Sequence, residues 1–297
     1  MKNIPVILLS TGSVKRRFET RYSTAFHKQC KWIAVGPAQL NKKNIFAILN
    51  EAGYPPGNLV ILLPEKNNLF YRLPPVLQNT VISFVTYKQT TDLEPWFNSV
   101  KNYRQAEDRI VIASMQKPFY IKWAKNFFSA IKKNYGTSVR VLFKPPELAT
   151  RKDLGKLFAS GFRFCIYTGH GRDRGWSGYR GFRWEDIAGE EWSEISGSVL
   201  SLSCSAFNPQ RINIPFAMQW VRSGRLNSFC GFCGAVHIQP LITISHFILD
   251  AIALQKKATV SSLVRSVNRQ VLASENGAVI KEWQNFRIAG NPLMKIF

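Results

Sequence analysis

Two short apolar runs leave few folds open to this chain. The first, F-R-F-C-I-Y-T over 162–168, stops at Gly169-His170-Gly171; the second, S-V-L-S-L-S over 198–203, stops at Cys204. Each is rich in β-branched, aromatic or leucine side chains and is bounded by glycine, the pattern of a strand buried on both faces of a parallel sheet. Two such strands side by side deliver one His and one Cys to the same sheet edge. In open α/β sheets that edge, outside the carboxyl ends of the strands, is where ligands bind.

This placement points to a cysteine nucleophile with an imidazole partner, because a thiol is largely protonated near neutrality and needs a base or acid within reach. Gly171 has no side chain, so its N–H can face a bound carbonyl, and with the N–H of Cys204 it would form an oxyanion hole. Taken singly, each residue has a plainer reading. A free Cys at the end of a core strand is packing, and a His in a Gly-rich turn is structural. T-G-H-G-R-D-R-G also has the glycines of a phosphate-binding loop, but such a loop runs straight into a helix. Here the chain continues W-S-G-Y-R-G-F-R-W, and Gly178 and Gly181 break any helix.

The order of apolar strand, Y-T-G-H-G, a Trp- and Gly-containing loop, W-E-D-I, apolar strand, S-C and then Phe resembles the gingipain-type (family C25-like) cysteine peptidases of the caspase-like group. His170 and Cys204 stand 34 positions apart, which fits that pattern. The terminal F-R-I-A-G-N-P-L-M-K-I-F resembles the closing strand of the family, where an aromatic segment leads into Gly-Asp-Pro. The likeness covers about Glu107 to Phe297. One departure is Phe207, three residues after the Cys, where the family usually has Gly; it bears on the shape of the substrate pocket. The resemblance implies a caspase-like three-layer αβα sandwich with a six-stranded, mainly parallel sheet. It also implies a cysteine endopeptidase in which Cys204 attacks the scissile carbonyl, His170 protonates the leaving amine, and the Gly171 and Cys204 amides hold the oxyanion. That mechanism requires no cofactor and no metal.

The alternation along the chain agrees. A smaller N-terminal α/β subdomain is expected over 1–104, with strands at Ile4–Leu9, from Cys30, at Asn58–Pro64 and at Val81–Tyr87, and helices over 43–53 and Asp92–Tyr103. The catalytic domain is expected over 105–297. Its strands begin at Arg109, Ser138, Phe162, Ser198, about Ser228 and near Phe286, and its helices lie at Phe119–Tyr135, Thr150–Ser160, Ile214–Ser223, Pro240–Gln255 and Val260–Ser274. Thr150 and Asp153 read as a capping box.

Charge adds a second constraint. The chain carries 40 Lys+Arg against 18 Asp+Glu, a net +22 over 297 residues, spread over both halves. Such a surface attracts nucleic acid, anionic membranes or acidic proteins, more weakly at high salt, or serves solubility alone. Five irregularly spaced Cys are not a disulfide framework, so a reducing, cytoplasmic setting is the expectation, and a mature domain cut from a secreted precursor would look the same. The longest apolar runs fall well short of the roughly 20 residues of a membrane span. The apolar start runs into Lys15-Arg16-Arg17 without a cleavage pattern and reads as a strand rather than a signal peptide.

Other candidates have ordinary readings beside sharper ones. Cys230-Gly-Phe-Cys233 with His237 suggests metal or redox chemistry, yet side chains three apart on a strand face opposite ways and zinc wants four ligands. His27 and His246 have no carboxylates nearby in sequence and read as structural. Arg172, Arg174 and Trp176, with Arg180 and Arg183 behind them, form a basic, aromatic loop expected on the substrate side, suited to an acidic peptide or to nucleic acid. Asp186 and Glu190-Glu191 are candidates to orient His170. The function from another class is a caspase-like interaction module with the dyad unused, binding nucleic acid or an acidic partner.

Overall fold

The computed structural model describes residues 6–22, 30–41, 44–45, 47–48, 57–77, 79–103, 108–208, 214–255 and 257–297. Fourteen strands are found among them. In chain order they are β1 (Val6–Thr11), β2 (Cys30–Val35), β3 (Asn58–Pro64), β4 (Val76–Leu77), β5 (Thr80–Tyr87), β6 (Arg109–Ser114), β7 (Arg140–Lys144) and β8 (Phe164–Thr168), then β9 (Gly171–Arg172), β10 (Gly175–Trp176), β11 (Phe182–Arg183), β12 (Ser196–Leu202), β13 (Leu226–Phe232) and β14 (Phe286–Gly290). The main sheet runs β2-β1-β3-β5-β14-β13-β12-β8-β6-β7, with β4 on the side of β5. Along that path every pairing is parallel except β13 with β14. This is the expected mixed α/β architecture. The strands β14-β13-β12-β8-β6-β7 are the six expected from 105–297, and they join the N-terminal strands edge to edge where Ala289 of β14 meets Phe84 of β5.

Side chains of successive residues alternate between the two faces, which is the period-2 rule of a pleated strand. Val111, Ala113, Cys165, Tyr167 and Val199 enter one apolar core. Ile110, Ile112, Phe164, Ile166, Leu200 and Leu202 enter the other. Helices Arg151–Ala159 and Phe216–Arg222 cover the first face through Leu154, Phe158, Phe216 and Trp220. Helices Pro118–Tyr135, Ile238–Leu254 and Val260–Ala273 cover the second. The Thr150–Asp153 capping box is present: Thr150 N–H donates to Asp153 Oδ2 at 2.9 Å and Asp153 N–H to Thr150 Oγ1 at 3.2 Å. Such a cap stabilises a helix start by about 1 kcal/mol.

Three helices escape the sequence reading, one of them the five-residue Trp184–Ala188 directly after β11. Gly12–Tyr22 follows β1 directly, and Gly277–Trp283 precedes β14, with Asn276 Oδ1 accepting from Ala278 N–H at 3.0 Å and Val279 N–H at 3.2 Å. Gly277–Trp283 is too short for a 3.6-residue period to register. The helix expected over 43–53 lies largely outside the described residues. Among the described residues no helix is long and apolar enough to cross a membrane.

Candidate active site

Strands β8 and β12 are parallel neighbours whose last residues, Thr168 and Leu202, stand in register. Both chains therefore leave the sheet at the same edge, and two residues on they carry His170 and Cys204. The turns pack tightly. A Cβ added to Gly171 would stand 2.3 Å from the Cys204 carbonyl oxygen, so no side chain is tolerated there. Ser177 N–H donates to the His170 carbonyl at 2.9 Å, and Trp176 pairs with Gly171 in the β9–β10 hairpin. In an antiparallel ladder this makes 171–176 the non-hydrogen-bonded pair, which turns the Gly171 N–H away from β10.

The backbone at His170 is clamped from below. Tyr167 Oη donates to the His170 carbonyl at 3.0 Å and accepts from Gly178 N–H at 3.1 Å. The Tyr167 ring lies flat on Trp176, centroids 4.2 Å apart and planes within 10°. Trp176, 1% exposed, donates from Nε1 to Ser201 Oγ at 2.9 Å. Its indole thus points into the core rather than toward substrate, while Arg172 and Arg174 are exposed as a substrate-side loop requires.

The imidazole is exposed and meets Tyr120 of helix Pro118–Tyr135, whose hydroxyl is 3.5 Å from Nδ1 and 3.4 Å from Nε2. The two rings are edge-on, 5.2 Å between centroids. Burial, and then the nearby Cys204, push the Tyr120 hydroxyl above its ordinary range, so it stays protonated. Tyr120 is a residue the sequence reading missed, fifty positions before the His. Desolvation, and secondarily the positive charge of Lys117, lower the His170 pKa from its ordinary 6.5, so the ring is neutral at pH 7. Because a lowered pKa means the proton is taken up only at more acid pH, reversing the neighbouring charge with Lys117→Glu should move the His170 titration upward. NMR titration of the ring protons reads this directly, and an unmoved midpoint would refute the coupling.

Cys204 is partly exposed, and its Sγ accepts from Val236 N–H at 3.4 Å. Among the described residues no backbone acceptor faces the Cys204 N–H. The loop behind it is braced from the N-terminal half: Phe207 is fully buried against Phe70 and Phe229, and Tyr71 Oη donates to its carbonyl at 3.2 Å. Phe207 therefore fills core, not cleft.

The remaining candidates separate. Asp186 accepts from Arg183 N–H at 2.8 Å and lies 3.9 Å from Arg151, while Glu190 packs beside Gly155; both thus engage the helix Arg151–Ala159 region and not His170. Cys230 and Cys233 face opposite sides of the sheet, one in each core, and burial pushes both thiols up to about 12. Cys165 is buried and raised as well. His237 is exposed and paired through Nδ1 with buried Glu282. Among the described residues no group of His, Cys, Asp or Glu could hold a metal ion. His246 is exposed on helix Ile238–Leu254, and His27 lies outside the described residues.

Residues 77–297 match the family model described as Peptidase family C25. Among solved structures, the Arg specific cysteine proteinase gingipain R superposes with a TM-score of 0.78 at 10% identity, over 99% of this chain and 78% of that one. The complex of Porphyromonas gingivalis RgpB pro- and mature domains gives 0.77 at 10% identity, over 98% and 79%. The Saccharomyces cerevisiae separase–securin complex gives 0.56 at 12% identity, over 79% of this chain and 16% of that one. At these identities the structural likeness speaks for the fold. No curated protein sequence matches the chain.

Proposed function

The chain belongs to peptidase family C25, the group of cysteine peptidases whose fold it shares, and from that premise we propose that it is an endopeptidase working through His170 and Cys204. The observation that carries the reading is the exit of β8 and β12 at one sheet edge, in register, with the Gly171 backbone packed on that of Cys204. In the proposed reaction Cys204 Sγ attacks the scissile carbonyl and its proton passes to neutral His170. The resulting imidazolium then protonates the leaving amine as the C–N bond breaks, and water releases the acyl group from sulfur. The Gly171 N–H, turned out of its hairpin, and the Cys204 N–H are the donors for the developing oxyanion. Tyr120 holds the imidazole edge.

Thiol chemistry tests the reading. Iodoacetamide near neutral pH should modify Cys204 first among the described cysteines, leaving Cys165, Cys230 and Cys233 untouched, because burial holds the latter three as thiols. Peptide cleavage should fall in step with Cys204 modification, as tracked by mass spectrometry. Full cleavage by a chain alkylated at Cys204 would sink the peptidase and favour the interaction module.

A further inference from the structure

Just beyond His170 the chain folds into a small antiparallel sheet, β9-β10-β11, that walls a cavity of about 460 Å³. Arg172, Arg174, Arg180 and Arg183 line it, together with Asp173 and Trp176 among others. All four arginines are exposed, and among the described residues none of them is joined to a carboxylate by an ion pair. Two acidic neighbours each accept from a backbone N–H. Asp186 caps Arg183 N–H and faces Arg151, and Asp173 Oδ1 accepts from Arg174 N–H at 3.0 Å. The wall thus sets four guanidinium groups against the single carboxylate of Asp173, whose Oδ2 is buried and unpartnered.

The geometry of the wall is fixed rather than floppy. Asp173 C=O accepts from Phe216 N–H at 3.0 Å, tying the hairpin to the helix that follows the Cys204 loop. Tyr179, Arg180 and Gly181 are three consecutive residues with positive φ, at 57°, 59° and 92°. Left-handed backbone is sparsely populated by non-glycine residues and persists where its surroundings impose it. Here the anchor is Tyr179 Oη, which accepts from Ser114 N–H at 3.2 Å and donates to the Lys144 carbonyl. The turn leaves Arg180 exposed at the cavity.

We infer that this arginine-walled cavity binds an acidic side chain of the peptide substrate, a Glu or Asp within a few residues of the cleaved bond. Two residues of strand span at most about 7 Å, so Arg172 stands within that reach of the His170 backbone. Guanidinium forks recognise carboxylates by paired, charge-assisted hydrogen bonds, whereas an Arg side chain, the preference stated for gingipain R, would be repelled here. An acidic peptide is favoured over nucleic acid because the first arginine of the cavity, Arg172, follows His170 of the proposed catalytic pair by two residues. The inference rests on the peptidase reading for its role, but binding and cleavage can be measured separately.

The test uses the full chain carrying Cys204→Ala, so that nothing is cut, and fluorescence anisotropy of a dye-labelled glutamate-rich peptide, its glutamine counterpart and a single-stranded oligonucleotide of matched charge. The glutamate peptide should bind about 10-fold or more tighter than the glutamine peptide. Adding Arg174→Gln with Arg180→Asn should erase that difference, since Asn tolerates the left-handed backbone at 180. Removing equal charge from the solvent face of helix Pro118–Tyr135 with Lys125→Gln and Lys133→Gln, both exposed, should preserve it. Equal weakening by both pairs would reduce the effect to the overall field and overturn the inference, as would tighter binding of the oligonucleotide. In the chain with Cys204 intact, cleavage of both peptides at one rate would overturn the pocket and leave the peptidase standing. Specific binding with no cleavage of either would do the reverse.

Discussion

Cys204→Ala is expected to lower kcat/KM for peptide cleavage by about 10⁴-fold or more, because the acyl-sulfur bond that divides the reaction into two easier steps can no longer form. Folding should hardly change. The variant loses a partly exposed sulfur that accepts one N–H, from Val236, and a bond of that kind is worth about 1 kcal/mol or less. His170→Ala should give a loss of similar order, and the double variant should be no slower than Cys204→Ala, since groups that act as a unit are not additive. Steady-state kinetics with thermal unfolding of each variant reads both quantities. Cleavage at the original rate by the Cys204→Ala chain would rule out the mechanism.

Trp176→Ala should destabilise the fold by about 3–5 kcal/mol, the range for removing a fully buried large aromatic side chain. The indole stacks on Tyr167 at 4.2 Å and is surrounded by Phe158, Phe182, Phe216 and Trp220, with ring centroids 5.5 to 6.4 Å away. Rigid aromatic neighbours drawn from four separate segments cannot all close on the void. The variant also strips the N–H donor from Ser201 Oγ, itself 2.7 Å from Ser203 Oγ in the turn before Cys204. Activity should fall beyond what unfolding explains. With its stacking partner gone, Tyr167 no longer fixes the His170 carbonyl, and small misplacements of a reacting group can cost about 10²-fold. Trp176→Phe should restore most of the stability. Urea unfolding is the measurement, and a loss under about 1 kcal/mol would show that the indole does not support the site.

Much of the site was legible from local pattern. The run 162–168 is apolar apart from Arg163, and 198–203 sets Val199 on one face and Leu200 and Leu202 on the other, so both read as central strands; a residue just past the end of such a strand lies at the sheet's ligand-binding edge. The opposed faces of Cys230 and Cys233 follow from the strand period alone. By contrast, Trp176 sits in a loop of arginines and aromatics whose sequence suits a solvent-facing surface equally well. Nothing local says that its ring turns inward onto Tyr167 while Arg172 and Arg174 turn out.

Local sequence pattern was therefore enough for the long central strands, most of the long helices and the edge to which His170 and Cys204 are delivered, since side-chain periodicity and glycine boundaries act over a few residues. Tertiary structure alone decided the surroundings of that edge. Tyr120 reaches the imidazole from fifty residues upstream, Tyr71 braces the Cys204 loop from the other half of the chain, and β5 meets β14 to make one sheet. These contacts join segments far apart in the chain, and their pairing depends on how whole faces pack, a property no short stretch of sequence contains.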